Sequence, residues 1–376
     1  MKATLNIKRK TTAILVDCSV KYDKRICRSV DRIDSASKII NIKSSYSCRN
    51  YMVYVSVLFK LILRIFTVYL KTKTERNRLT CTVDSLLPRN PFVGLTACLL
   101  RIHEAVRAVV WHDRYSEFTD IYAHDLYCAV SASLGGGQHL TYDAHELEIH
   151  RNRKVGHFRL TIEYLLEQTV LSRCNKVLVV NEPIKRLMQE WYSVNSPITV
   201  DYNDHYPERY ISAPDERSEP YIVFVGGSTN GRALEALSHP PELTRFHIRV
   251  FPITETEDYF KISRFWSIGP VQYESELISL MKTHRTLMWC CTDRNCLSYL
   301  LSTPNKFFQA LSLGLPIIAM TGTYLAELSI QYHIGPVFDG SNLDSIYEDT
   351  LTDKYLEWVE GARALHSGLN NDSIKV

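Results

Sequence analysis

The segment from Ser302 to Met320, STPNKFFQALSLGLPIIAM, constrains the fold of this chain more than any other stretch. It predicts a polar turn, a short helix that begins at residues 304–306, a glycine cap at Gly314, and a buried strand. Such a helix start presents free backbone N–H groups and the positive end of a dipole, and Lys306 adds a full charge. We therefore expect an anion to bind there, with a nucleotide diphosphate as the candidate.

The length of the chain favours two domains over one core, because 376 residues exceed the usual size of a single core. A hydrophobic content of 45% and a charged content of 23% are typical of a folded soluble protein. Between residues 196 and 220, four prolines interrupt a charged stretch that has no periodic pattern. We therefore predict one domain at 1–200 and a second at 215–352. A C-terminal helix and tail follow at 353–376, and this segment could cross back to the first domain.

Charge and cysteine spacing exclude several classes of protein. The formal net charge of +3 is too small to indicate a nucleic-acid partner. Ten cysteines without a CxxC pair, and no paired histidine spacing, predict neither a zinc site nor a disulfide framework. Reduced thiols are typical of the cytoplasm, and the apolar stretch Ala13–Val16 after the basic start is too short for a signal peptide. We expect a cytoplasmic protein.

The most apolar stretch of the chain is Tyr51–Leu70, whose length approaches that of a membrane span. Lys60 and Arg64 stand in its middle, where they would be costly in a bilayer but share one face of a helix. Basic residues continue up to Arg78 and suit anionic headgroups. Two interpretations remain open: a helix in the membrane interface, making Tyr51–Arg78 a peripheral membrane contact, or a core helix with a basic edge. A third interpretation of this segment is a transmembrane span.

Short apolar strands alternate with helical stretches in both halves of the chain. In the first half, strands are predicted at 11–17, 38–42, 108–111, 118–123, 139–142 and 176–180, and helices at 99–108, 125–134 and 162–172. In the second half, strands are predicted at 221–225, 247–251, 286–290 and 315–320, and helices at 275–283 and 353–365. This alternation predicts α/β domains with doubly wound parallel sheets. Ligands bind such sheets at the carboxyl ends of their strands.

Five polar residues follow two consecutive predicted strands: His124 and Asp125 after the first, and Asp143, His145 and Glu146 after the second. Both groups should therefore open on the ligand-binding edge. A histidine held by a carboxylate can hydrogen-bond a sugar hydroxyl or stabilise a developing charge. We predict a catalytic group of Asp143, His145 and Glu146, while a purely structural role for either histidine stays open.

A glycine pair, Gly226 and Gly227, follows the predicted strand 221–225. Backbone without a Cβ can approach a phosphate closely, although turns also need glycine for steric reasons. Arg232, in the helix start expected to follow, could add charge to this site or could be a surface residue. A Rossmann oxidoreductase is disfavoured, because no GxGxxG follows the first strand.

Six segments occur in an order that resembles the family-four glycosyltransferases, and together they cover nearly the whole chain. They are DKRI at 23–26, AHDLY at 123–127, YDAHELE at 142–148, FVGG at 224–227, IGPVQYESEL at 268–277 and TPNKFFQALSLGLPIIA at 303–319. The resemblance implies the GT-B architecture of two Rossmann-like domains facing across a cleft. It also implies transfer with retention, no metal or bound cofactor, a UDP- or GDP-sugar donor, and an envelope polysaccharide or lipid-linked acceptor.

The same resemblance assigns individual residues. His145 matches the histidine that faces the donor sugar, Gly226 the glycine of the donor phosphate loop, and Asn305 and Lys306 the pair that opens the nucleotide-binding helix, where Pro304 precedes them. Residues on the acceptor side are expected to be Asp23, Arg25, His124 and Asp125.

Two departures from the family pattern bear on activity. The family has an arginine directly after the glycine that corresponds to Gly226, but this chain has Gly227 there. Arg232 is therefore the candidate substitute. At the two positions where the family has glutamate, this chain has Leu301 and Gln309. The amide of Gln309 can still hydrogen-bond a ribose.

The predicted function is a retaining hexosyltransferase that uses front-face attack. Two alternatives remain: a nucleotide-sugar 2-epimerase of the same fold, and a catalytically weak sugar-nucleotide-binding subunit of an envelope assembly complex.

Overall fold

The computed structural model of the chain describes residues 12–16, 38–42, 51–71, 90–111, 115, 117–136, 139–151, 155–202, 206–212, 218–227, 231–240, 244–253, 258–371 and 373–374. The chain divides into two compact units, Met1–Asp201 and Tyr202–Val376. The division falls inside the proline-interrupted stretch at 196–220. The acceptor and donor roles assigned to the two domains remain predictions.

The first unit is built on one parallel six-stranded sheet with the order β2-β1-β3-β4-β5-β6. Its strands are β1 Thr12–Val16, β2 Lys38–Asn41, β3 Asp120–His124, β4 His139–Ala144, β5 Lys176–Val179 and β6 Ile198–Val200. Its α-helices are α1 Tyr51–Lys71, α2 Leu95–Trp111, α3 Leu126–Gly135, α4 His157–Leu171 and α5 Glu182–Trp191, and a 3-10 turn covers Glu148–His150.

Helix α3 is the central helix of this unit, because every one of its ten residues is buried. It packs against α2, α4 and the strands β3 and β4. Gly136 ends the helix with a φ of 83°, a left-handed conformation that suits glycine. Strands β3 and β4 pair in parallel with His124 opposite Asp143, so that their carboxyl ends lie at one edge of the sheet.

Helix α5 begins with a side-chain cap that offers a measurable test of the local fold. The Asn181 side-chain oxygen accepts a hydrogen bond of 3.0 Å from the Ile184 backbone N–H. Asn181→Ala removes this acceptor and should lower the free energy of unfolding of the first unit by about 1 kcal/mol, as measured by urea denaturation. Asn181→Ser supplies another capping oxygen and should retain most of the stability; equal losses in the two variants would contradict the cap's contribution.

The second unit has its own parallel six-stranded sheet, in the order β12-β11-β10-β7-β8-β9. Its strands are β7 Tyr221–Gly226, β8 His247–Pro252, β9 Ser267–Ile268, β10 Thr286–Trp289, β11 Ile317–Met320 and β12 Val337–Phe338. Its α-helices are α6 Asp258–Ile262, α7 Glu274–Thr283, α8 Leu297–Leu301, α9 Asn305–Leu313, α10 Tyr324–Tyr332, α11 Leu343–Thr350 and α12 Lys354–Asn370, and a 3-10 turn covers Leu234–Leu237.

Helix α9 lies in the core of the second unit, where Phe307 and Leu311 are fully buried. It ends at Gly314, whose φ of 70° is the left-handed cap that the sequence predicts. The last helix, α12, packs against α9, α10 and α11. Its buried side chains, Leu365 and Leu369 among them, join the same apolar cluster as α9.

Two sequence predictions about secondary structure are wrong. The apolar run AVVW at 108–111 is the last turn of α2 and not a strand, because the helix continues to Trp111. Arg232 precedes a 3-10 turn and not an α-helix. The predicted acceptor-side residues Asp23 and Arg25, and the basic residues that follow α1, lie outside the described part of the chain.

Helix α1 lies at the surface of the first unit. Between its residues 52 and 70, only Val57 and Leu61 are buried, while large apolar side chains such as Phe59 and Phe66 are more than half exposed. The core-helix interpretation is therefore wrong for this segment. Among the described residues, Met52–Leu70 is the one helix long and apolar enough to cross a membrane.

Candidate functional site

Two histidines and an aspartate meet at the carboxyl edge of β3 and β4. His124 Nδ1 lies 2.6 Å from His145 Nε2 and 3.1 Å from Asp143 Oδ2. The other carboxylate oxygen of Asp143 lies 3.4 Å from His145 Nδ1. The Tyr122 hydroxyl donates to Asp143 Oδ2 over 3.1 Å. His124, Asp143 and His145 are all buried, so this is an internal polar cluster. The Nε2 atom of His124 has no hydrogen-bond partner among the described residues.

The same three side chains are the group of described residues that could hold a metal ion, with donor atoms within 4.8 Å of one another. A tetrahedral zinc ion about 2 Å from each imidazole nitrogen keeps those nitrogens about 3.3 Å apart. The 2.6 Å between His124 Nδ1 and His145 Nε2 is shorter and fits a direct N–H···N hydrogen bond. The arrangement is that of two hydrogen-bonded imidazoles sharing one carboxylate.

The predicted residues Asp125 and Glu146 belong to a second cluster organised by Arg151. The Arg151 guanidinium lies 3.0 Å from Asp125, 3.3 Å from Glu146 and 2.9 Å from Glu148. Burial opposes the charge of Arg151, but the three carboxylates outweigh it and raise the pKa of the guanidinium well above its usual value. The sequence analysis missed Arg151; its spacing of three residues from Glu148 was the only local signal.

Backbone geometry holds these two clusters side by side. Asp125 adopts a φ of 66°, a region that non-glycine residues seldom occupy. Its backbone N–H donates to the Asp143 carbonyl over 3.0 Å, which ties the end of β3 to β4. Of the predicted catalytic trio, the structure therefore brings Asp143 and His145 together, adds His124 to them, and engages Glu146 with Arg151.

In the second unit, the first turn of α9 contains a buried lysine. Lys306 is 8% exposed, and its Nζ has no hydrogen-bond partner among the described residues. The ammonium lies 4.3 Å from the centroid of the Phe224 ring, a cation–π contact. Burial, with a smaller contribution from Arg232, lowers the pKa of Lys306 to about 8. A buried ammonium without a carboxylate partner is the feature expected where an anionic ligand completes the site.

The end of β7 provides a glycine pair in the same unit. Gly226 has a φ of 145°, and its carbonyl accepts a hydrogen bond from the Tyr259 hydroxyl. A Cβ placed on Gly227 would meet nothing within 4 Å, so the backbone here faces open space. The first N–H groups of α9, from Asn305 onward, have no acceptor within the helix, and Pro304 occupies the N-cap position.

Two further predicted residues have protein partners. The Gln309 amide bonds to the Tyr273 hydroxyl through both its oxygen, at 3.0 Å, and its nitrogen, at 2.8 Å. The guanidinium of Arg232 lies 5.5 Å from the Tyr299 ring centroid. Tyr273 lies in the segment 268–277 that carries the family resemblance, but the sequence predicted no role for it or for Tyr299, because nothing in the local pattern indicates a contact between residues so far apart in the chain.

The fold was compared with those of known proteins. No protein-family model and no curated protein sequence matches the chain. Among solved structures, Anabaena Alr3699/HepE in complex with UDP-glucose matches with a TM-score of 0.56 at 12% identity, covering 95% of this chain and 94% of that chain. The same protein in complex with UDP and glucose gives a TM-score of 0.53 at 11% identity, covering 96% and 99%.

Sucrose-phosphate synthase from Thermosynechococcus elongatus matches with a TM-score of 0.51 at 11% identity, covering 72% of this chain and 75% of that chain. The two parallel sheets with interleaved helices thus have the GT-B glycosyltransferase fold that the sequence predicts. At these identities the likeness concerns the fold, and function has to be argued from the sites themselves.

Proposed function

We propose that the protein is a glycosyltransferase that takes a sugar from a nucleoside-diphosphate donor. The observation that carries this proposal is Lys306, a buried ammonium at the start of a core helix that has no hydrogen-bond partner among the described residues. A buried charge of this kind is costly unless a ligand of opposite charge compensates it. A diphosphate supplies that charge, and a solved structure of the same fold holds UDP-glucose.

The chemistry of glycosyl transfer explains why cations are needed here. Cleavage of the bond between the anomeric carbon and the diphosphate leaves negative charge on the leaving group, which fixed cations and N–H dipoles stabilise. In the second unit, Lys306, Arg232 and the N-terminus of α9 supply positive charge, while Gly226 and Gly227 permit close approach of backbone to phosphate.

The proposed reaction retains the anomeric configuration through front-face attack. This route needs the acceptor and the diphosphate side by side, and it does not require a carboxylate nucleophile. In the first unit, His145 is proposed as the residue that contacts the sugar. Asp143 and His124 orient its ring, because they engage its Nδ1 and Nε2, respectively.

A nucleotide screen tests the proposal. UDP or GDP should raise the melting temperature of the full chain by mass action, and AMP, which lacks the second phosphate, should raise it much less. The donor sugar is then found by incubating the protein with individual UDP- and GDP-sugars and measuring the release of free nucleotide. If no diphosphate nucleotide shifts the melting temperature, the proposed site is wrong.

A second candidate function is a catalytically weak binding subunit. The observation that favours it is the replacement of two expected glutamates by Leu301 and Gln309, with the Gln309 amide already bonded to Tyr273. Binding of UDP without any release of UDP from sugar donors, in the presence of acceptor extracts, would support this function over transfer. Formation of a C2 epimer from the nucleotide sugar alone would instead identify an epimerase.

The proposed acceptor is an envelope glycan or a lipid-linked sugar at a membrane surface. The support for it is helix α1, whose large apolar side chains are exposed, a pattern that suits a helix in a membrane interface. A protein that modifies such an acceptor has to work close to the bilayer, which gives this exposed face a use.

A further inference from the structure

The second unit contains an open cavity of about 490 Å³ at the amino edge of its sheet. Tyr221, His247 and Ser267, the first residues of β7, β8 and β9, all line this cavity. The glycine pair of the proposed donor site begins at Gly226, the last residue of β7. A strand of six residues is about 16 Å long, so the cavity lies well apart from that loop. It is therefore a separate candidate site.

Aromatic side chains form part of the cavity wall. Tyr221 and Phe265 line it and are partly exposed. The His247 ring stacks on Tyr221, with ring centroids 5.0 Å apart and planes inclined by 22°. Ile248 and Leu280 add aliphatic surface. The volume lies in the range of about 300–1,000 Å³ that is usual for small-molecule sites, which combine apolar walls with a few polar groups.

Both arginines of the lining have a carboxylate partner. The Arg249 guanidinium donates to the Glu276 carboxylate and to the Ser267 hydroxyl. The Arg245 guanidinium forms an ion pair with Glu348. An anionic ligand would have to compete with these carboxylates. A neutral ligand can instead use the remaining N–H groups of an arginine and the remaining lone pairs of its carboxylate partner.

Thr244 is the buried polar residue among the described residues of this lining, with 4% of its surface exposed. Its Oγ1 has no hydrogen-bond partner in the described part of the chain. A buried hydroxyl without a partner is costly, and folded proteins satisfy nearly all such groups. A ligand hydroxyl that enters the cavity would supply the missing partner.

We propose that this cavity binds a neutral saccharide at a site separate from that of the nucleotide sugar. A sugar ring has C–H faces that pack on aromatic rings, and its hydroxyl groups both donate and accept hydrogen bonds. Tyr221 and Phe265 provide the ring faces. The Arg249–Glu276 pair places donors beside acceptors, and Thr244 provides a hydroxyl. Phosphates match this lining poorly, because carboxylates already neutralise both arginines.

A second saccharide contact has a use in glycosyl transfer. A glycan held in the cavity stays close to the enzyme, which raises the effective concentration of its reacting end at the active site. This use rests on the proposed function, whereas binding of a saccharide to the cavity does not.

The test is titration of the full chain by saturation-transfer difference NMR, with UDP in excess to fill the donor site. The probes are the methyl glycosides of glucose, galactose, mannose and N-acetylglucosamine, and at least one of them should bind the wild type. Phe265→Ala removes a partly exposed ring, and Ser267→Trp fills the cavity from an exposed position. Each variant should weaken binding of that probe about tenfold.

Matched variants separate the cavity from the rest of the surface. Thr244→Val removes the hydroxyl but keeps the shape, and it should weaken binding about fivefold without lowering the melting temperature. Thr244→Ser keeps the hydroxyl and should bind like the wild type. Ser367→Trp places the same ring on an exposed serine of α12, outside the cavity lining, and should also bind like the wild type.

Several results would overturn the proposal. These are the failure of all four glycosides to bind, or binding that stays unchanged in Phe265→Ala and Ser267→Trp, which would place the sugar elsewhere. Equal affinities of Thr244→Val and Thr244→Ser would contradict the hydrogen bond assigned to the hydroxyl. Displacement of the bound glycoside by inorganic phosphate would identify an anion site.

UDP binding keeps this test separate from the proposed function. The shift of the melting temperature by UDP should be equal in the wild type and in all variants of the cavity, which also shows that the variants are folded. Absence of that shift in every protein would refute the donor site and leave the saccharide result standing.

Discussion

Lys306→Met should produce a protein that is more stable than the wild type at neutral pH and about a hundredfold weaker in binding UDP. The loss of affinity follows from removing a charged hydrogen bond to phosphate, worth about 3 kcal/mol. The gain in stability follows from removing a buried ammonium that has no hydrogen-bond partner in the described part of the chain. Methionine has a similar length and tolerates the apolar contact with Phe224.

The pH dependence of this gain has a definite sign. Burial lowers the pKa of Lys306 from 10.5 to about 8, so the folded state disfavours the protonated form. The cost to the wild type is complete below pH 8, up to about 3 kcal/mol, and disappears as the pH rises towards 10.5. The stability difference between variant and wild type should therefore be largest at neutral pH and should shrink in alkaline solution.

Urea denaturation over this pH range and calorimetric titration with UDP measure the two effects. The matched control is Lys282→Met, which removes an exposed lysine from α7 in the same unit and should change neither property. Unchanged UDP affinity in Lys306→Met would refute the donor site. A less stable variant at neutral pH would show that the ammonium has a partner in the folded protein.

Glu167→Gln should remove much of the pH dependence of stability of the first unit between pH 4.5 and 7. Glu167 is 1% exposed, and it accepts hydrogen bonds from the hydroxyls of Tyr142, at 2.7 Å, and Tyr192. Burial raises its pKa from 4.5 to about 7, although both tyrosine hydrogen bonds oppose the shift. The folded state therefore holds a proton that the unfolded state releases in this range.

Stability of the wild type should fall as the pH rises from 4.5 to 7, by up to about 3 kcal/mol, and then level off. The amide of glutamine resembles the protonated carboxyl, so Glu167→Gln should lack this decline and be the more stable protein above pH 7. Hydrogen exchange of peptides from α4 reports on this unit alone.

Glu190→Gln is the control for this comparison, since Glu190 is an exposed carboxylate on α5. It should reproduce the wild-type decline. If Glu167→Gln declines with pH as steeply as the wild type, the buried carboxyl is not the titrating group.

The sequence predicted most of the strands, because strands of a parallel sheet are buried on both faces and read as short apolar runs. It failed at 108–111, where Val109, Val110 and Trp111 favour a strand locally but continue helix α2. Packing along one side stabilises a helix of that length. The strand preference of four residues at its end is too weak to outweigh this packing.

For the candidate sites, local sequence patterns predict the positions of the residues but not their side-chain contacts. The positions of His124, Asp143 and His145 at strand ends follow from the alternation of strands and helices, and so does Lys306 in the first turn of α9. The contacts between these residues do not follow from it. His124 meets His145 through sheet register, Arg151 comes from a segment without any motif, and the motif at 268–277 does not indicate that Tyr273 contacts Gln309. Side-chain partners of this kind are settled by tertiary packing.

The strand order of the second sheet has a consequence for synthesis of the chain on the ribosome. β7 is central, yet one of its two neighbours, β10, is translated much later, after β8 and β9. The apolar cluster around α9 also lacks Leu365 and Leu369 until α12 has emerged from the exit tunnel. We therefore expect the nascent second unit to expose apolar surface through most of its translation, which is the kind of surface that chaperones bind.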